Sequence, residues 1–263
     1  MDTDAVLELI QETATAVINP RFRSLEAGEI QEKQPGDPVT IADRESEALI
    51  TQALLRDDPT ALVVGEEAVD GDPTLLRRLA GAEHAWTVDP VDGTKNFVAG
   101  SPDHAVMVAE LRGGATVRAW IWQPQHHHAY VAERGAGAYA DGVRIERPAP
   151  ADDPGQLRGA TSYRGLWGSD IGALAPFEPT HMCCGIDYPR LALGRVDYLV
   201  YRRVMPWDHA PGTLIVAEAG GASGRADGSA YDPRTHGNGL LTAGTRAAFE
   251  TARRELGTAL AQL

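Results

Sequence analysis

Cysteine is nearly missing: the 263 residues contain two, and they are neighbours, Cys183 and Cys184. Adjacent cysteines rarely close a disulfide without strain, so no disulfide framework holds this chain. They read instead as small buried residues of a reducing compartment. Long apolar runs are missing as well, and no stretch is long enough to span a bilayer. The start, Met1-Asp2-Thr3-Asp4, is acidic and leads into the amphipathic run Val6, Leu7, Leu9, Ile10, Ala14, Val17 and Ile18. It lacks the basic flank and apolar stretch of a signal peptide, so we expect a cytoplasmic protein with no membrane partner. Positive charge is scarce too. Twenty-four Lys and Arg against 37 Asp and Glu leave a formal net charge of -13, which argues against a broad basic surface for nucleic acid. What is plentiful is core material: 43% hydrophobic residues can bury one large layered unit or two joined halves.

The most informative stretch is Asp89-Pro90-Val91-Asp92-Gly93-Thr94, which puts two carboxylates, a carbonyl, a glycine and a hydroxyl within six residues. The apolar lead-in Ala85-Trp86-Thr87-Val88 reads as a buried strand, so Asp89 sits where that strand runs out. Asp92 follows at a spacing that lets both carboxylates converge, with the Val91 carbonyl free as a hard oxygen ligand. Gly93 lets the backbone approach an oxyanion, and the Gly93 and Thr94 amides would open a helical turn aimed at it. Asp-Gly alone would mean only a surface turn. A solvated turn, however, gains nothing from a second Asp at the end of a hydrophobic strand, nor from Lys95-Asn96-Phe97 leading back into apolar sequence.

Distant segments repeat the pattern. Leu62-Val63-Val64-Gly65-Glu66-Glu67 is an apolar strand stopped by glycine and followed by acid, which makes Glu66 a third candidate ligand. In Met205-Pro206-Trp207-Asp208-His209-Ala210-Pro211-Gly212, Asp208 precedes an apolar helical run. It can cap that helix or lean across the cleft to a metal. Asp43, after Asp37-Pro38-Val39-Thr40-Ile41-Ala42, falls at or near another helix start.

Taken in order, the Val-Thr-Ile-Ala-Asp, Gly-Glu-Glu, Asp-Pro-Val-Asp-Gly-Thr and Trp-Asp-His-Ala-Pro-Gly segments resemble the four signatures of the inositol monophosphatase family. These are metal-dependent, lithium-sensitive phosphomonoesterases, and the resemblance covers essentially the whole chain. It implies that Glu66, Asp89 and the Val91 carbonyl hold one Mg2+, that Asp89, Asp92 and Asp208 hold a second, and that a weaker third sits near Glu66. Two to three Mg2+ per subunit are thus expected, with Mn2+ able to substitute and Ca2+ or Li+ inhibitory. Gly93 and Thr94 would bind phosphate, and Asp43 would pair with the Thr94 hydroxyl that orients the attacking water. Lys33 lies where the family often has a loop lysine. The implied fold is α/β in the layered α+β sense, with alternating helix and sheet layers αβαβα as in inositol monophosphatase and fructose-1,6-bisphosphatase. A homodimer is implied as well.

The chemistry is coherent without the family name. Magnesium is hard and prefers one or two carboxylates plus substrate oxygens, which suits acids at several strand ends. Two such ions about 3.5 to 4 Å apart clamp a phosphoryl group. We expect in-line attack of a metal-activated water on a small phosphorylated metabolite, which the resemblance implies is inositol-1-phosphate-like, with Glu66, Asp43 and Thr94 catalytic. Alternatives of the same class are histidinol phosphate, a sugar bisphosphate or a 3'-phosphonucleotide. Another class is a non-catalytic binding protein of RNA metabolism. A haloacid dehalogenase mechanism needs Asp-x-Asp, whereas here two residues separate the acids.

For the substrate wall, counting back from Asp208 puts Tyr201 where inositol phosphatases carry a sugar-binding Glu. Met182-Cys183-Cys184-Gly185-Ile186-Asp187-Tyr188-Pro189-Arg190 stands where relatives carry a Gly-Ser-Ala-Ala run. Tyr201, Arg190 and Cys184 are therefore the candidate substrate contacts, with Arg202 and Arg203 near them. Pro189 suits a first helical turn, so a helix over 188–194 capped by Asp187 is expected.

The strands are expected near 60–65, 84–89, 104–111, 115–122 and 128–133, with Arg112-Gly113-Gly114 as a hairpin turn. The proline-rich segment 147–154 divides the chain into an N-terminal half, 1–146, and a C-terminal half, 147–263. In the second half, strands at 157–161, 197–201 and 239–243 alternate with helices at 188–194, 208–219 and from 245. Pro20 should end the first helix near Ile18. His126-His127-His128 suggests zinc, but consecutive histidines cannot share one strand face. Glu133 to Tyr139 reads as a hairpin, since no Lys-Ser or Lys-Thr ends it as a phosphate loop requires.

Overall fold

Two long strands that bury most of both faces decide where the layers of this molecule go. The computed structural model describes residues 1–26, 28–225 and 228–261. In chain order its helices are α1 (Thr3–Thr13), α2 (Ile41–Asp57), α3 (Glu66–Gly71), α4 (Thr74–Leu79), α5 (Thr94–Val98), α6 (Cys184–Ala192), α7 (Pro206–Glu218) and α8 (Arg246–Ala261). The strands are β1 (Ile30–Gln34), β2 (Asp37–Thr40), β3 (Leu62–Gly65), β4 (His84–Asp92), β5 (Ala105–Arg112), β6 (Ala115–Gln123), β7 (His128–Glu133), β8 (Gly137–Ala140) and β9 (Val143–Arg144). They continue as β10 (Gly159–Thr161), β11 (Glu178–Pro179), β12 (Tyr198–Val204), β13 (Ala222–Arg225) and β14 (Gly237–Ala243).

Strands β3 to β9 form a seven-stranded sheet in sequence order, parallel only at β3 and β4. A five-stranded sheet runs β11-β10-β12-β14-β13. On β5, Val106 and Val108 pack with Val6, Ile10 and Ile50 from α1 and α2. Their neighbours Ala105 and Met107 face the other way, onto Ile186 and Leu191 of α6 and Leu214 and Ile215 of α7. On β12, Leu199 and Tyr201 join that same middle core, whereas Tyr198 and Val200 pack with Phe249, Ala252 and Leu256 of α8. Strand alternation therefore puts a helix layer on each side of each sheet. The result is the expected αβαβα stack, with α6 and α7 shared between the sheets. No helix among the described residues is long and apolar enough to cross a membrane.

Local chemistry explains the joints. Gly113 and Gly114 both take positive φ in the two-residue turn between β5 and β6, as that tight turn requires. The first helix keeps a regular turn to Thr13, widens over Ala14–Ile18 and tightens into a short turn holding Pro20, close to the stop expected near Ile18. Between it and α2 lies the β1–β2 hairpin, which the sequence reading did not separate.

Two helix starts differ from expectation. α6 begins at Cys184, not near 188, so Pro189 lies inside the helix and Asp187 is a first-turn residue rather than the cap. Pro189 has no N–H to give the Gly185 carbonyl four residues back. Gln123 Nε2 from β6 donates to that carbonyl instead, at 2.7 Å. α7 begins at Pro206, which puts Asp208 in its first turn; Met205 is the cap residue and makes no side-chain cap. Its carboxylate is thereby left free for another task.

Candidate active site

The site starts from a parity problem. Asp89 and Asp92 are three apart on one strand, so regular alternation would send them to opposite faces. The pairing of β4 with β5 shifts between them: Asp89 lies opposite Met107 and Asp92 opposite Ala105. Two residues, Pro90 and Val91, thus oppose Val106 alone. This bulge resets the alternation, tolerates a proline and turns both carboxylates toward the α6 and α7 layer.

Three other elements converge there. β3 ends at Gly65 and presents Glu66 at the start of α3. α7 brings Asp208 close beside Asp89. The N-terminus of α6 holds Asp92, whose Oδ2 accepts from the Gly185 amide and from Cys183 Sγ. Glu66, Asp89, Asp92, Gly93, Thr94 and Asp208 all line one cavity of about 250 Å3, and Cys184, Asp187, Tyr201 and Arg203 complete its wall. A larger cavity, about 930 Å3, lies between α1 and β7–β8. No comparable set of buried acids faces it, so the smaller one is the candidate site.

Gly93 takes φ +83°, and a Cβ there would sit 3.0 Å from the Asp103 carbonyl and 3.1 Å from Cys183 Cβ. Only glycine fits both the conformation and the space. Asn96 fastens this corner by donating to the Asp103 and His181 carbonyls at 2.8 and 2.9 Å. Thr94 Oγ1 lies 3.1 Å from both Asp43 Oδ1 and the Val91 carbonyl. Asp43 is also the capping-box acid of α2, its Oδ2 accepting from the Thr40 amide at 2.8 Å.

Electrostatics mark the cluster as only partly compensated, by Lys33 at Glu66 and by the charge of Arg203 on Asp208. Burial, then the charges of Glu66, Asp92 and Asp208, pushes the Asp89 carboxyl well above its ordinary range. Burial and the charges of Glu66 and Asp92 push Asp208 up in the same way. Asp43 and Asp92 are each pushed up to about 6, chiefly by burial. Asp89 Oδ1 is buried with no hydrogen-bond partner among the described residues. An orphaned carboxylate oxygen among mutually repelling acids is costly unless a cation completes it. Among the described residues no three ligand side chains close into a finished cage. Magnesium keeps waters and takes only one or two carboxylates with substrate oxygens, so an open set of this kind fits it.

Glu47 and Asp187 have roles here that the sequence did not suggest, and Lys33 joins them at the place the resemblance implies. Glu47 accepts from the Glu67 and Ala68 amides at 2.7 and 2.8 Å, which anchors the turn carrying Glu66. Its carboxyl fills the space beneath Gly65, where a Cβ would come 2.2 Å from Glu47 Cδ. Lys33 Nζ binds Glu66 Oε1 at 2.9 Å and Glu67 Oε1 at 2.5 Å; burial alone would lower its pKa, but the two glutamates outweigh it and raise it. Asp187 accepts from the His181 amide at 2.9 Å and from the Tyr201 hydroxyl at 3.2 Å, and burial pushes it up to about 7. The signal that could have found Glu47 is a charged residue one turn before Ile50 and two before Leu54, on the buried face of α2.

Of the candidate substrate contacts, Tyr201 and Cys184 line the cavity, both buried. Arg190 does not. It lines a separate cavity of about 240 Å3 with His126 and His181, although its charge still acts on Asp187. The three histidines part company: His126 binds Asp103, His128 binds Asp141, and the His127 ring lies beside Trp122.

Comparison with known proteins bears on the family and the fold. The sequence profile of the inositol monophosphatase family matches residues 2–261. An inositol-1-monophosphatase of Rhizobium meliloti is 34% identical over 220 residues, covering 76% of this chain and 79% of that protein. The Nus factor SuhB of Escherichia coli is 30% identical over 215 residues, 78% of each chain. A solved IMPase/NADP phosphatase, complexed with Mg2+ and phosphate, superposes with a TM-score of 0.76 at 21% identity, covering 96% of this chain and 92% of that one. The signatures in order, the layers they fold into and the whole-length match lead to one conclusion: the chain belongs to the inositol monophosphatase family.

Proposed function

We propose that this chain is a divalent-cation-dependent phosphomonoesterase acting on a small phosphorylated metabolite. The observation that carries this reading is the bulge at Pro90-Val91, which aims Asp89 and Asp92 at Asp208 beside Gly93 and Thr94. Glu66, Asp89 and the Val91 carbonyl would hold one Mg2+, and Asp89, Asp92 and Asp208 a second. A third would sit near Glu66. Bound dications supply charge neutralisation of the phosphoryl oxygens and a more acidic water. They also reverse the local field of an acidic cavity, so affinity for a phosphate ester depends on them.

The chain's own residues do the rest. The Gly93 and Thr94 amides hold the phosphate. Thr94 Oγ1 gives its hydrogen to Asp43 Oδ1 and so keeps a lone pair for one hydrogen of the attacking water. That aims the water oxygen at phosphorus in line with the leaving alcohol. As the P–O bond to water forms and the ester P–O bond breaks, the water proton passes through Thr94 to Asp43, and the leaving alkoxide takes a proton from a solvent water, whose hydroxide later recovers the proton held by Asp43. A carboxyl held near 6 by burial is suited to receive it. Glu66, steadied by Lys33 and by Glu47 beneath its turn, orients the water from the other side.

The reading is tested by phosphate release from inositol phosphates, sugar phosphates, histidinol phosphate and nucleotide 3'-phosphates, with and without magnesium. Release that needs magnesium, falls in lithium or calcium and disappears in Asp89→Asn is the expected result. Release indifferent to chelator and to that substitution overturns it. The likeness to Nus factor SuhB supports a second reading, a non-catalytic binding role in RNA metabolism. A protein with that role alone would release no phosphate from any ester. Family membership also supports a homodimer, for which light scattering should give twice the chain mass.

A further inference from the structure

Three arginines lie close in sequence to the substrate wall, and the structure separates them. Arg190 belongs to the cavity of His126 and His181. Arg202 and Arg203 are consecutive on β12, so they leave opposite faces of the strand. The Arg202 guanidinium stacks over the Tyr163 ring, 5.3 Å from its centroid. Arg203 alone lines the acid cavity, and it also lines an adjoining cavity of about 270 Å3. The two cavities share Asp37, Glu66 and Arg203.

Its backbone is fixed. Arg203 pairs with Asn238 of β14, and its carbonyl lies 3.1 Å from His209 Nε2, whose Nδ1 is 2.8 Å from the Tyr188 hydroxyl. The guanidinium, in contrast, is exposed and forms no ion pair or side-chain hydrogen bond among the described residues. A cation on a rigid strand, beside a cluster of acids yet bonded to none of them, is available to a ligand. Lys95 is another exposed cation on this cavity, but it follows Thr94 directly and so belongs with the phosphate end.

The chemistry of the wall narrows what Arg203 would meet. A polyol needs acceptors as well as donors, and arginine has donors only. The Tyr201 hydroxyl beside it gives its one hydrogen to Asp187 Oδ2 and is left as an acceptor only. A planar fork of N–H groups matches a carboxylate or phosphate with two parallel bonds. We propose that Arg203 binds a second anionic group on the substrate, so that the preferred esters are phosphomonoesters whose alcohol carries a carboxylate or a further phosphate. The proposal rests on the phosphomonoesterase reading and names the substrate class for that same site.

Matched esters test it. Glycerol 2-phosphate and 2-phosphoglycerate share one skeleton and differ by a carboxylate; a hexose monophosphate and its bisphosphate differ by a phosphate. With magnesium, the wild-type kcat/KM should favour the anionic member of at least one pair by about tenfold or more. Which pair shows the preference identifies the anion. In Arg203→Ala that ratio should fall to near one, chiefly through KM, and Arg203→Lys should lie between, since a point charge replaces the fork. Magnesium-dependent release with no preference in either pair, or equal losses on both members in Arg203→Ala, overturns the Arg203 assignment alone. No release from any ester overturns the phosphatase reading and this assignment with it.

Discussion

At the scale of single residues, Asp89 carries the most consequence. It is nearly fully buried, it touches Asp208, and one of its oxygens lacks a partner. Asp89→Asn keeps the shape and removes the charge, so kcat should drop by roughly 10²- to 10³-fold, the loss typical of a transition-state charge stabiliser. Calorimetry on the same variant should show weaker magnesium uptake. The folded structure should survive, because relieving repulsion among clustered acids does not weaken packing. Glu47 is the converse case, a residue that touches no substrate. Glu47→Ala removes two hydrogen bonds from the turn under Glu66 and should weaken magnesium binding by about 10- to 100-fold, as loss of a ligand's support does. Unchanged magnesium affinity would show that the turn holds itself.

At the scale of elements, α6 shows how a helix can run through a proline when another element supplies the missing bond. Gln123 on β6 donates to the carbonyl that Pro189 leaves free. Gln123→Ala should therefore cost about 1–3 kcal/mol in denaturant unfolding, the penalty for a buried carbonyl left alone. The loss should be much smaller in a Pro189→Ala background, where the helix can make its own bond. Equal losses in both backgrounds would mean that Gln123 acts through packing alone. The same element explains a misplaced boundary: a proline six residues into a helix reads locally as a helix start, and the glutamine that rescues it lies 62 residues away. The β4 bulge was hidden for a related reason. The sequence showed Asp89 and Asp92 near a strand end, but only pairing with β5 reveals that Pro90 and Val91 oppose a single residue.

At the scale of the whole molecule, the acid cluster trades stability for function. Burial holds Glu47 and Asp187 up to about 7 and raises Asp89 and Asp208 well above their ordinary values. A raised carboxyl stabilises the fold while the folded state keeps a proton that the unfolded chain has lost. That contribution is full below the ordinary carboxylate range and is lost as pH rises through the folded value. Two buried histidines, His104 and His209, are pushed down to about 4 by burial and act oppositely, but only below their ordinary value of 6.5. Between pH 6.5 and about pH 8 the acids alone contribute, so the Tm of metal-free protein should fall, by on the order of 5 °C. Magnesium should restore most of the loss at the upper pH. A metal-free Tm that stays level over this range, followed by tryptophan fluorescence, would show that the acids are not strained.

The sequence by itself determined the layers and the chemistry. The apolar runs that become β5, β12 and α7 and the apolar stripes of α1 and α8 are local patterns, and the six residues from Asp89 to Thr94 are contiguous. Likewise Glu66 and Asp208 each follow or begin a local element whose type can be read from its own residues. The tertiary structure alone decided which acids turn to one side, where α6 starts, and which arginine reaches the cavity. Each of those depends on a partner from another element: β5 for the bulge, Gln123 for Pro189, and the sheet around β12 for the faces of Arg202 and Arg203. A side chain's direction is set by the backbone pairing around it, and that pairing is a long-range property.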